Sequence, residues 1–322
     1  MHIGYHASHE QFSPAELLRY SVLAESAGFD FVMSADHLNP WSRNQGHSGF
    51  TWSWLGAALQ ATKKIQFGSI AVPCGWRYHP VIVAQAAATL AQMYPGRMKW
   101  IAAGSGEALN EKVVCADWPG KPERNARLKE GIEIIRRLWN GETVTQTDGY
   151  HYTKDARIWS LPPEAPAIMG AAISSETAGY LAGAVDGLVT VYQQEETLSR
   201  IIRSFRSQGG ERKRLYVQVH VSWHQDEQQA KRNALDQWRS NLVPPILGEN
   251  LSSPGAFEKV TEALSAPDLE GRVFAGCDRE YFAALIDKCF SLGFDGVVLH
   301  NAGRNQEDFL RFFGEKVLPS FK

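Results

Sequence analysis

Short runs of apolar and β-branched residues alternate with segments of helical period along the whole chain. The segment at residues 14–28 is typical, since Leu17, Leu18 and Val22 recur at helical spacing before Gly28. Eight runs have the length and composition of buried strands: 2–6, 29–35, 65–72, 98–103, 167–171, 187–191, 216–223 and 296–301. Eight β/α units in one chain predict a parallel (β/α)8 TIM barrel, a fold of the α/β class.

Two intervals between the strands are longer than a barrel connection requires, near residues 107–160 and 225–270. No linker, repeat or low-complexity segment divides the chain. We therefore expect residues 1–322 to form a single domain with two insertions. The second insertion combines a polar helix near 226–242 with a loop at 244–255 rich in Pro, Gly, Ser and Asn. Such a loop is expected to cover the barrel mouth.

The first insertion is predicted to contain a helix and a β-hairpin. The helix spans about residues 123–139 and ends before Gly141. The hairpin strands, at 143–147 and 150–153, flank Asp148-Gly149, a dipeptide favoured in two-residue turns. Three charged residues of the helix are interpreted as a solvated face: Arg124, Arg127 and Glu130.

Composition narrows the function classes without selecting one. The chain carries 33 basic and 35 acidic residues, so nothing favours nucleic acid or an anionic membrane as a partner. No apolar run reaches the ~18 residues of a membrane span, and the N-terminus shows no basic segment followed by an apolar one. We expect a cytoplasmic protein with reduced thiols in its core or in a pocket: Cys74, Cys115, Cys277 and Cys289.

Polar residues follow two predicted strands at the ends that form the catalytic face of such a barrel. The second strand ends at Asp36-His37 with Trp41 shortly after, and the fourth ends in Gly104-Ser105-Gly106 followed by Glu107. An imidazole exchanges protons near neutral pH, an indole can lie against a planar ligand, and a carboxylate can act as an acid. The alternative interpretation is a surface Asp-His pair beside a packing Trp, and position alone does not decide between the two.

Two further patterns are weaker. His220 and His224 on the seventh strand and His300 on the eighth could be metal ligands, but no carboxylate or Cys accompanies them at ligand spacing. We therefore favour hydrogen-bonded core histidines and expect no metal. The chain holds ten tryptophans, and three of them are further candidates for the barrel mouth: Trp52, Trp54 and Trp76.

The combination of motifs in order is more specific than any one of them. The motifs are Tyr5-x-Ala7-Ser8-x-Glu10-Gln11-Phe12, Ser34-x-Asp36-His37-x-x-Pro40-Trp41, Arg77-Tyr78-x-Pro80-x-x-Val83-Ala84-Gln85, Tyr94-Pro95-Gly96-Arg97, Gly106-Glu107-Ala108-Leu109-Asn110-Glu111, Glu123-Arg124-x-x-Arg127-Leu128-x-Glu130 and Gly149-Tyr150-x-Tyr152. This string resembles the bacterial-luciferase-like superfamily, in the branch of F420-dependent glucose-6-phosphate dehydrogenase-like oxidoreductases. The resemblance covers essentially the whole chain and is dense up to Tyr152.

The resemblance implies a hydride transfer between an alcohol or carbonyl substrate and F420 or FMN at the barrel mouth. It implies His37 as the base, Trp41 as an aromatic wall, Glu107 as an acid or partner of a ring nitrogen, and Glu10 near the substrate. It also implies a non-prolyl cis peptide at Ile70-Ala71, behind the ring. Further positions matched to cofactor binding are Asp36, Ile70, Ala71, Gly104, Ser105, Gly106, Asn110, Ser174 and Ser175.

Two departures from the family pattern bear on substrate and cofactor. Relatives hold a sugar phosphate with two lysines and an arginine. Arg272 matches the arginine, whereas the lysine positions fall near Gln193-Gln194 and Gly248, so we do not expect glucose 6-phosphate as the substrate. Gln193 and Arg272 are nevertheless expected to contact substrate.

The phosphate-tail turn at residues 171–177 lacks the usual glycines, so F420 is only slightly preferred over FMN. An FMNH2-dependent monooxygenase is one alternative, in which His37 assists oxygen chemistry. A flavin-binding protein without turnover is the other, although a binder needs no base at this position. A homodimer is also expected.

Overall fold

The structure is a computed structural model that describes residues 1–73 and 75–322. In chain order its strands are β1 (His2–Ala7), β2 (Phe31–Ala35), β3 (Gln66–Pro73), β4 (Met98–Gly104), β5 (Val144–Gln146), β6 (Thr153–Ala156), β7 (Ala167–Ala171), β8 (Gly187–Val191), β9 (Arg214–Trp223), β10 (Phe274–Gly276) and β11 (Gly296–Asn301). Eight of them close into a parallel barrel in the order β1-β2-β3-β4-β7-β8-β9-β11, with β11 paired to β1. The predicted (β/α)8 barrel is therefore confirmed, and each of the eight strand predictions overlaps a barrel strand.

Helices connect the strands and cover the outside of the barrel. In chain order they are α1 (Pro14–Ala27), α2 (Thr51–Ala61), α3 (Pro80–Met93), α4 (Ala108–Glu111), α5 (Lys121–Trp139), α6 (Ser175–Ala182), α7 (Glu195–Phe205), α8 (Glu227–Trp238), α9 (Pro245–Gly248), α10 (Pro254–Thr261), α11 (Arg279–Ser291) and α12 (Gln306–Phe312). In the described part of the chain, none of them is long and apolar enough to span a bilayer.

Local signals explain where α1 begins and ends. Ser13 accepts a hydrogen bond from the backbone of Glu16, while the Glu16 carboxylate binds the backbone N–H of Ser13 in return. Pro14 occupies the first helical position, where its missing N–H costs nothing. Gly28 ends the helix at φ 90°, in the left-handed conformation that suits glycine.

The barrel interior is filled by large side chains opposite glycines. A Cβ atom at Gly4 would lie 2.3 Å from the ring of Phe31, and one at Gly68 would lie 2.2 Å from the indole of Trp100. Phe31 also stacks on Tyr216 with ring centroids 5.5 Å apart. The lower barrel is therefore a solid core, which leaves space for a ligand only at the mouth.

The hairpin of the first insertion differs from its prediction. Strand β6 begins at Thr153 rather than Tyr150, and Gln146 pairs with Thr153, so the connection is longer than a two-residue turn. The carboxylate of Glu130 on α5 accepts hydrogen bonds from the backbone N–H groups of Tyr150 (2.9 Å) and His151 (2.7 Å). These bonds hold the backbone as a loop on the helix, and the residues cannot pair across the hairpin.

The second insertion also contains more helix than predicted. Within the expected loop at 244–255, Pro245–Gly248 form the short helix α9, and α10 begins at Pro254. A proline opens each of these helices at a position where it is tolerated. The three cysteines in the described ranges are free: Cys289 is buried and Cys115 half-buried, whereas Cys277 is exposed and so not a core thiol. Cys74 lies outside the described residues.

Candidate active site

A cavity of about 260 Å³ opens at the C-terminal ends of the barrel strands. The cavity therefore lies at the end of the barrel where the motifs that follow the strands predict a site. Most of the predicted site residues line it: Glu10, Asp36, His37, Trp41, Ile70, Ala71, Gly104, Ser105, Gly106, Glu107, Asn110, Gln193 and Arg272. Ser174 and Ser175 stand apart from this lining, although the adjacent Ile173 belongs to it. Ser174 caps α6 by accepting a hydrogen bond from the backbone N–H of Thr177 at 3.2 Å.

Three ionisable side chains converge in the cavity. The Nε2 atom of His37 lies 3.5 Å from Oε1 of Glu10 and 4.0 Å from Oε2 of Glu107. Glu10 is buried, and its other oxygen accepts a hydrogen bond from Ser8 at 2.9 Å. Burial raises the pKa of Glu107, and the carboxylates of Glu249 and Glu10 act in the same direction, against the effect of His37. Glu107 therefore holds a proton more readily than an ordinary glutamate.

Aromatic rings form one wall beside this cluster. The Trp41 indole lies 4.8 Å from the His37 ring, and Phe257 packs edge-on against Trp41 at 5.2 Å. Trp238 also lines the cavity, from the end of α8. The wall is aromatic, which suits an organic substrate better than a hydrated ion.

A buried ion network lies directly beside the cavity. The Arg77 guanidinium contacts Asp36 at 2.8 Å and Glu111 at 2.7 Å, and Tyr78 donates to the second oxygen of Asp36 at 2.8 Å. Burial raises the pKa of Asp36 and of Glu111, and Arg77 only partly offsets this effect. Asp36 was expected to contact the cofactor ring. Both of its carboxylate oxygens are instead hydrogen-bonded within the protein, to Arg77 and Tyr78.

The wall formed by β3 and β4 fits a planar ring. The Ile70-Ala71 peptide is cis, as predicted, and the pairing of β3 with β4 slips between Ser69 and Val72. A Cβ atom at Gly104 would lie 2.9 Å from the Cβ of Ala71 and 3.5 Å from that of Ala171, so any larger side chain would fill this wall.

Unsatisfied polar atoms also point to a ligand. In the described part of the chain, four buried side-chain atoms of cavity residues have no hydrogen-bond partner: Nδ1 of His6, Nε1 of Trp41, Oγ1 of Thr190 and Nε1 of Trp238. A mostly apolar cavity with unused hydrogen-bonding groups is what a flavin-type ring requires. The residues present therefore fit such a cofactor.

The charged face predicted for α5 is not solvated. Arg124 is buried, and it contacts Glu249 at 2.9 Å and the carbonyl of Gly106 at 3.2 Å. Lys121 binds the other oxygen of Glu249 at 2.7 Å. The backbone of Glu249 accepts a hydrogen bond from Ala108 N–H at 3.0 Å. The interpretation of a solvated face was wrong because the partners come from the second insertion, far along the chain.

The other two charged residues of this helix face, Arg127 and Glu130, also contact other parts of the protein. The Arg127 guanidinium lies over the rings of Trp76 at 5.1 Å and Tyr150 at 4.8 Å. Glu130 binds the hairpin loop as described above. Trp76 packs against Trp118 at 5.2 Å and, like Trp52 and Trp54, stands outside the cavity lining, so those three tryptophans are not mouth residues.

The barrel histidines form hydrogen bonds with other side chains. Nδ1 of His220 lies 2.8 Å from Nδ1 of His300, and Nε2 of His300 lies 2.7 Å from Oε1 of Gln11. His224 lies apart and accepts from the backbone of Asp226. Burial lowers the pKa of both His6 and His220 to about 3, so the cavity floor is uncharged at ordinary pH.

Several lining residues were not anticipated from the sequence. Trp238, Glu249 and Phe257 come from the second insertion, and Lys121 comes from the first. No local pattern distinguishes these residues from surface positions. His6 could have been found, because it lies one residue before the end of β1 and its side chain faces the cavity.

The fold and the site together define a class of enzyme: a (β/α)8 barrel with an acid-base cluster in a partly aromatic cavity that suits a planar cofactor. The model of the luciferase-like monooxygenase family matches residues 1–296. The chain therefore belongs to this family, which confirms the resemblance seen in the sequence, and it is an oxidoreductase of the luciferase-like type.

Named relatives cover the whole chain. An F420-dependent glucose-6-phosphate dehydrogenase of Microbacterium testaceum is 36% identical over all of this chain and 98% of its own length. One from Nakamurella multipartita is 34% identical over 99% of this chain and 96% of its own length. An F420-dependent secondary alcohol dehydrogenase, solved in complex with an F420-acetone adduct, superposes with a TM-score of 0.93 at 28% identity. That superposition covers 100% of this chain and 99% of the solved one.

Proposed function

We propose that this protein is an F420-dependent oxidoreductase that moves a hydride between an alcohol or carbonyl substrate and the deazaflavin. The main support is the cluster of Glu10, His37 and Glu107 beside Trp41, at a wall that fits a planar ring. Relatives named as F420-dependent at 36% and 34% identity favour F420 over FMN. When bound, the deazaflavin supplies the carbon that accepts or returns the hydride.

The residues of this chain would handle the proton. In the direction of oxidation, His37 takes the hydroxyl proton, and in reduction it returns that proton to the carbonyl oxygen. Glu107, with its raised pKa, is suited to holding a proton for a ring nitrogen. Trp41 and Glu10 line the cavity beside His37, where they would contact the substrate. Groups held in place before reaction are the ones that stabilise a transition state.

The remaining predicted contacts would hold the cofactor. The Ile70-Ala71 peptide and the Gly104-Ser105-Gly106 turn line the cavity and would form the wall against the ring. Asp36 and Asn110 would face its polar edge. The N-terminus of α6, with Ser174 as its cap and Ser175 next to it, would bind the first phosphate of the tail.

The charges of the cavity support a neutral substrate. Gln193 and Gly248 line it, and both lie near the positions that the resemblance matches to the lysines of a sugar-phosphate site. Lys121 shares the carboxylate of Glu249 with Arg124, and Arg77 contacts two carboxylates. Of the cationic residues that line the cavity, Arg272 is the one without an ion pair in the described part of the chain. A single free cation is a poor site for a dianionic phosphate.

Titration with the two candidate cofactors tests the proposed function. We expect F420 to bind with sub-micromolar Kd and FMN with millimolar Kd or not at all, measured by calorimetry. Gly104→Ala should weaken F420 binding about tenfold or more, because the added methyl group overpacks the ring wall and such overpacking costs about 1–3 kcal/mol. The exposed His2, at the opposite end of β1, gives the control variant His2→Ala, which should bind normally. Tighter binding of FMN than of F420 would overturn the assignment.

Steady-state kinetics on two substrates test the charge argument. We expect kcat/KM for glucose 6-phosphate to be about 10²–10⁴-fold below that for a neutral secondary alcohol, since each missing charge-assisted contact costs about 1.5–3 kcal/mol. The double variant Gln193→Lys, Gly248→Lys should reduce the difference in kcat/KM between the two substrates. A side chain at Gly248 meets only ordinary contacts, at 3.8 Å from Val243 and 3.9 Å from Phe257. Saturation of the unmodified enzyme by micromolar sugar phosphate would contradict the argument.

A further inference from the structure

The orientation of the Asn110 side chain is fixed by the backbone. Its Oδ1 accepts hydrogen bonds from the N–H groups of Leu38 at 2.9 Å and Asn39 at 3.1 Å. A backbone N–H can only donate, so these two bonds identify which end of the amide is the oxygen. The amide nitrogen Nδ2 therefore points at Nδ1 of His37, at 3.0 Å. Asn110 is itself buried, which leaves it little freedom to rotate.

This contact determines where a neutral His37 carries its proton. An amide NH2 group has two donors and no acceptor, so Nδ1 of His37 can accept this hydrogen bond only when it carries no proton. The proton of the neutral ring then lies on Nε2, the atom that faces Glu10 and Glu107. We propose that Asn110 is a positioning residue that sets the tautomer of neutral His37, with the proton on Nε2 and directed into the cavity.

A second partner of Nδ1 favours the opposite tautomer. The backbone carbonyl of Asn39 lies 3.2 Å from Nδ1 of His37 and can only accept a hydrogen bond. The two groups compete for one nitrogen atom, and the Asn110 contact is the shorter. Asn39 also donates from its own side chain to the carbonyl of Leu109 at 2.8 Å, which holds the two segments together. The carbonyl of Asn39 is then the partner of Nδ1 when His37 is doubly protonated.

The tautomer matters for the reaction, and this step rests on the proposed function. Neutral His37 offers the substrate oxygen a hydrogen-bond donor rather than a lone pair. To accept a hydroxyl proton at Nε2, the ring must first carry its proton on Nδ1, which breaks the bond from Asn110 and makes the bond to Asn39. Asn110 thereby sets the free-energy cost of using His37 as a base.

Nitrogen NMR of the protein with ¹⁵N-labelled histidine tests the proposal without cofactor or substrate. The His37 signals are identified by their loss in His37→Gln. At a pH where the ring is neutral, we expect Nε2 in the protonated range and Nδ1 in the unprotonated range. Asn110→Asp keeps an acceptor for Leu38 and Asn39 but places an oxygen against Nδ1. It should shift the tautomer ratio toward Nδ1–H by about tenfold or more, since a charge-assisted bond replaces the amide bond.

The controls separate this role from a general structural one. Asn140→Asp, at the exposed end of α5, should leave the His37 signals unchanged. Asn110→Ala removes the amide that donates to Nδ1 of His37 and adds no acceptor in its place. Its tautomer ratio should lie between those of the unmodified protein and Asn110→Asp. A proton on Nδ1 in the unmodified protein, or an unchanged tautomer in Asn110→Asp, would overturn the proposal. Should Asn110→Asp fail to fold, the spectrum of the unmodified protein still decides. Failure of F420 to bind would refute the proposed function and leave this spectrum as it is.

Discussion

His37→Ala should lower turnover by about 10²–10⁴-fold, the range in which a positioned acid or base contributes to catalysis. The imidazole lies between two carboxylates of the cavity, with Nε2 at 3.5 Å from Glu10 and 4.0 Å from Glu107. Removing it leaves no proton-accepting group at the same position, and neither carboxylate can take its place without moving. The cofactor affinity should stay within a few-fold, because the ring wall is formed by other residues.

The measurement is kcat with F420 and a neutral secondary alcohol, together with the Kd for F420 by fluorescence. His2→Ala, which changes an exposed histidine at the far end of the barrel, should retain normal values of both. Full turnover in His37→Ala would remove His37 from the mechanism. A parallel loss of cofactor binding would instead assign it to the cofactor site.

Arg77→Ala should destabilise the protein by about 3–5 kcal/mol, the usual cost of leaving a buried charge uncompensated. The Arg77 side chain is only 10% exposed, and its partners Asp36 and Glu111 are 1% and 0% exposed. Without the guanidinium, both carboxylates remain in the interior next to each other. The free energy of unfolding from urea denaturation is the quantity to measure.

The stability lost in Arg77→Ala should increase as the pH rises. The pKa values of Asp36 and Glu111 are already raised by burial, and the loss of Arg77 raises them further. A carboxyl group with a raised pKa binds more protons in the folded state than in the unfolded state, so stability falls as the pH rises between the two pKa values. The gap between variant and parent protein should therefore be smaller at pH 5 than at pH 7.

The surface pair Arg137–Glu142 provides the matched control. These side chains are 35% and 45% exposed, so Arg137→Ala should cost no more than about 1 kcal/mol, with little change with pH. An Arg77→Ala protein as stable as the Arg137→Ala protein would show that the buried network contributes nothing.

The barrel was predictable because its signals are local. The barrel strands are largely buried on both faces, which gives apolar runs between helical segments, and the run that ends at Ala171 matches β7 residue for residue. The hairpin forms, but its predicted two-residue turn was wrong because Glu130, remote in sequence, holds the backbone of Tyr150 and His151 in a loop. Turn propensity at Asp148-Gly149 could not anticipate that contact.

The residues of the candidate site also fall into those that local sequence could place and those that it could not. Residues that follow a barrel strand, such as His37 and Glu107, could be placed at the mouth from the direction of the strands alone. Trp238 and Glu249 could not, because their position depends on how the second insertion folds back over the mouth. The burial of Arg124 was missed for the same reason, since a charged residue at helical spacing looks solvated until its partner is known.

The contact between the two insertions constrains how this enzyme could diverge. The carboxylate of Glu249 forms ion pairs with both Lys121 and Arg124, and the side chain of Arg124 is only 3% exposed. A substitution of Glu249 alone would leave a buried guanidinium unpaired, at a cost that a marginally stable protein tolerates poorly. Changes at these positions should therefore be inherited together, so that the two segments of the mouth evolve as one unit while the barrel beneath them stays the same.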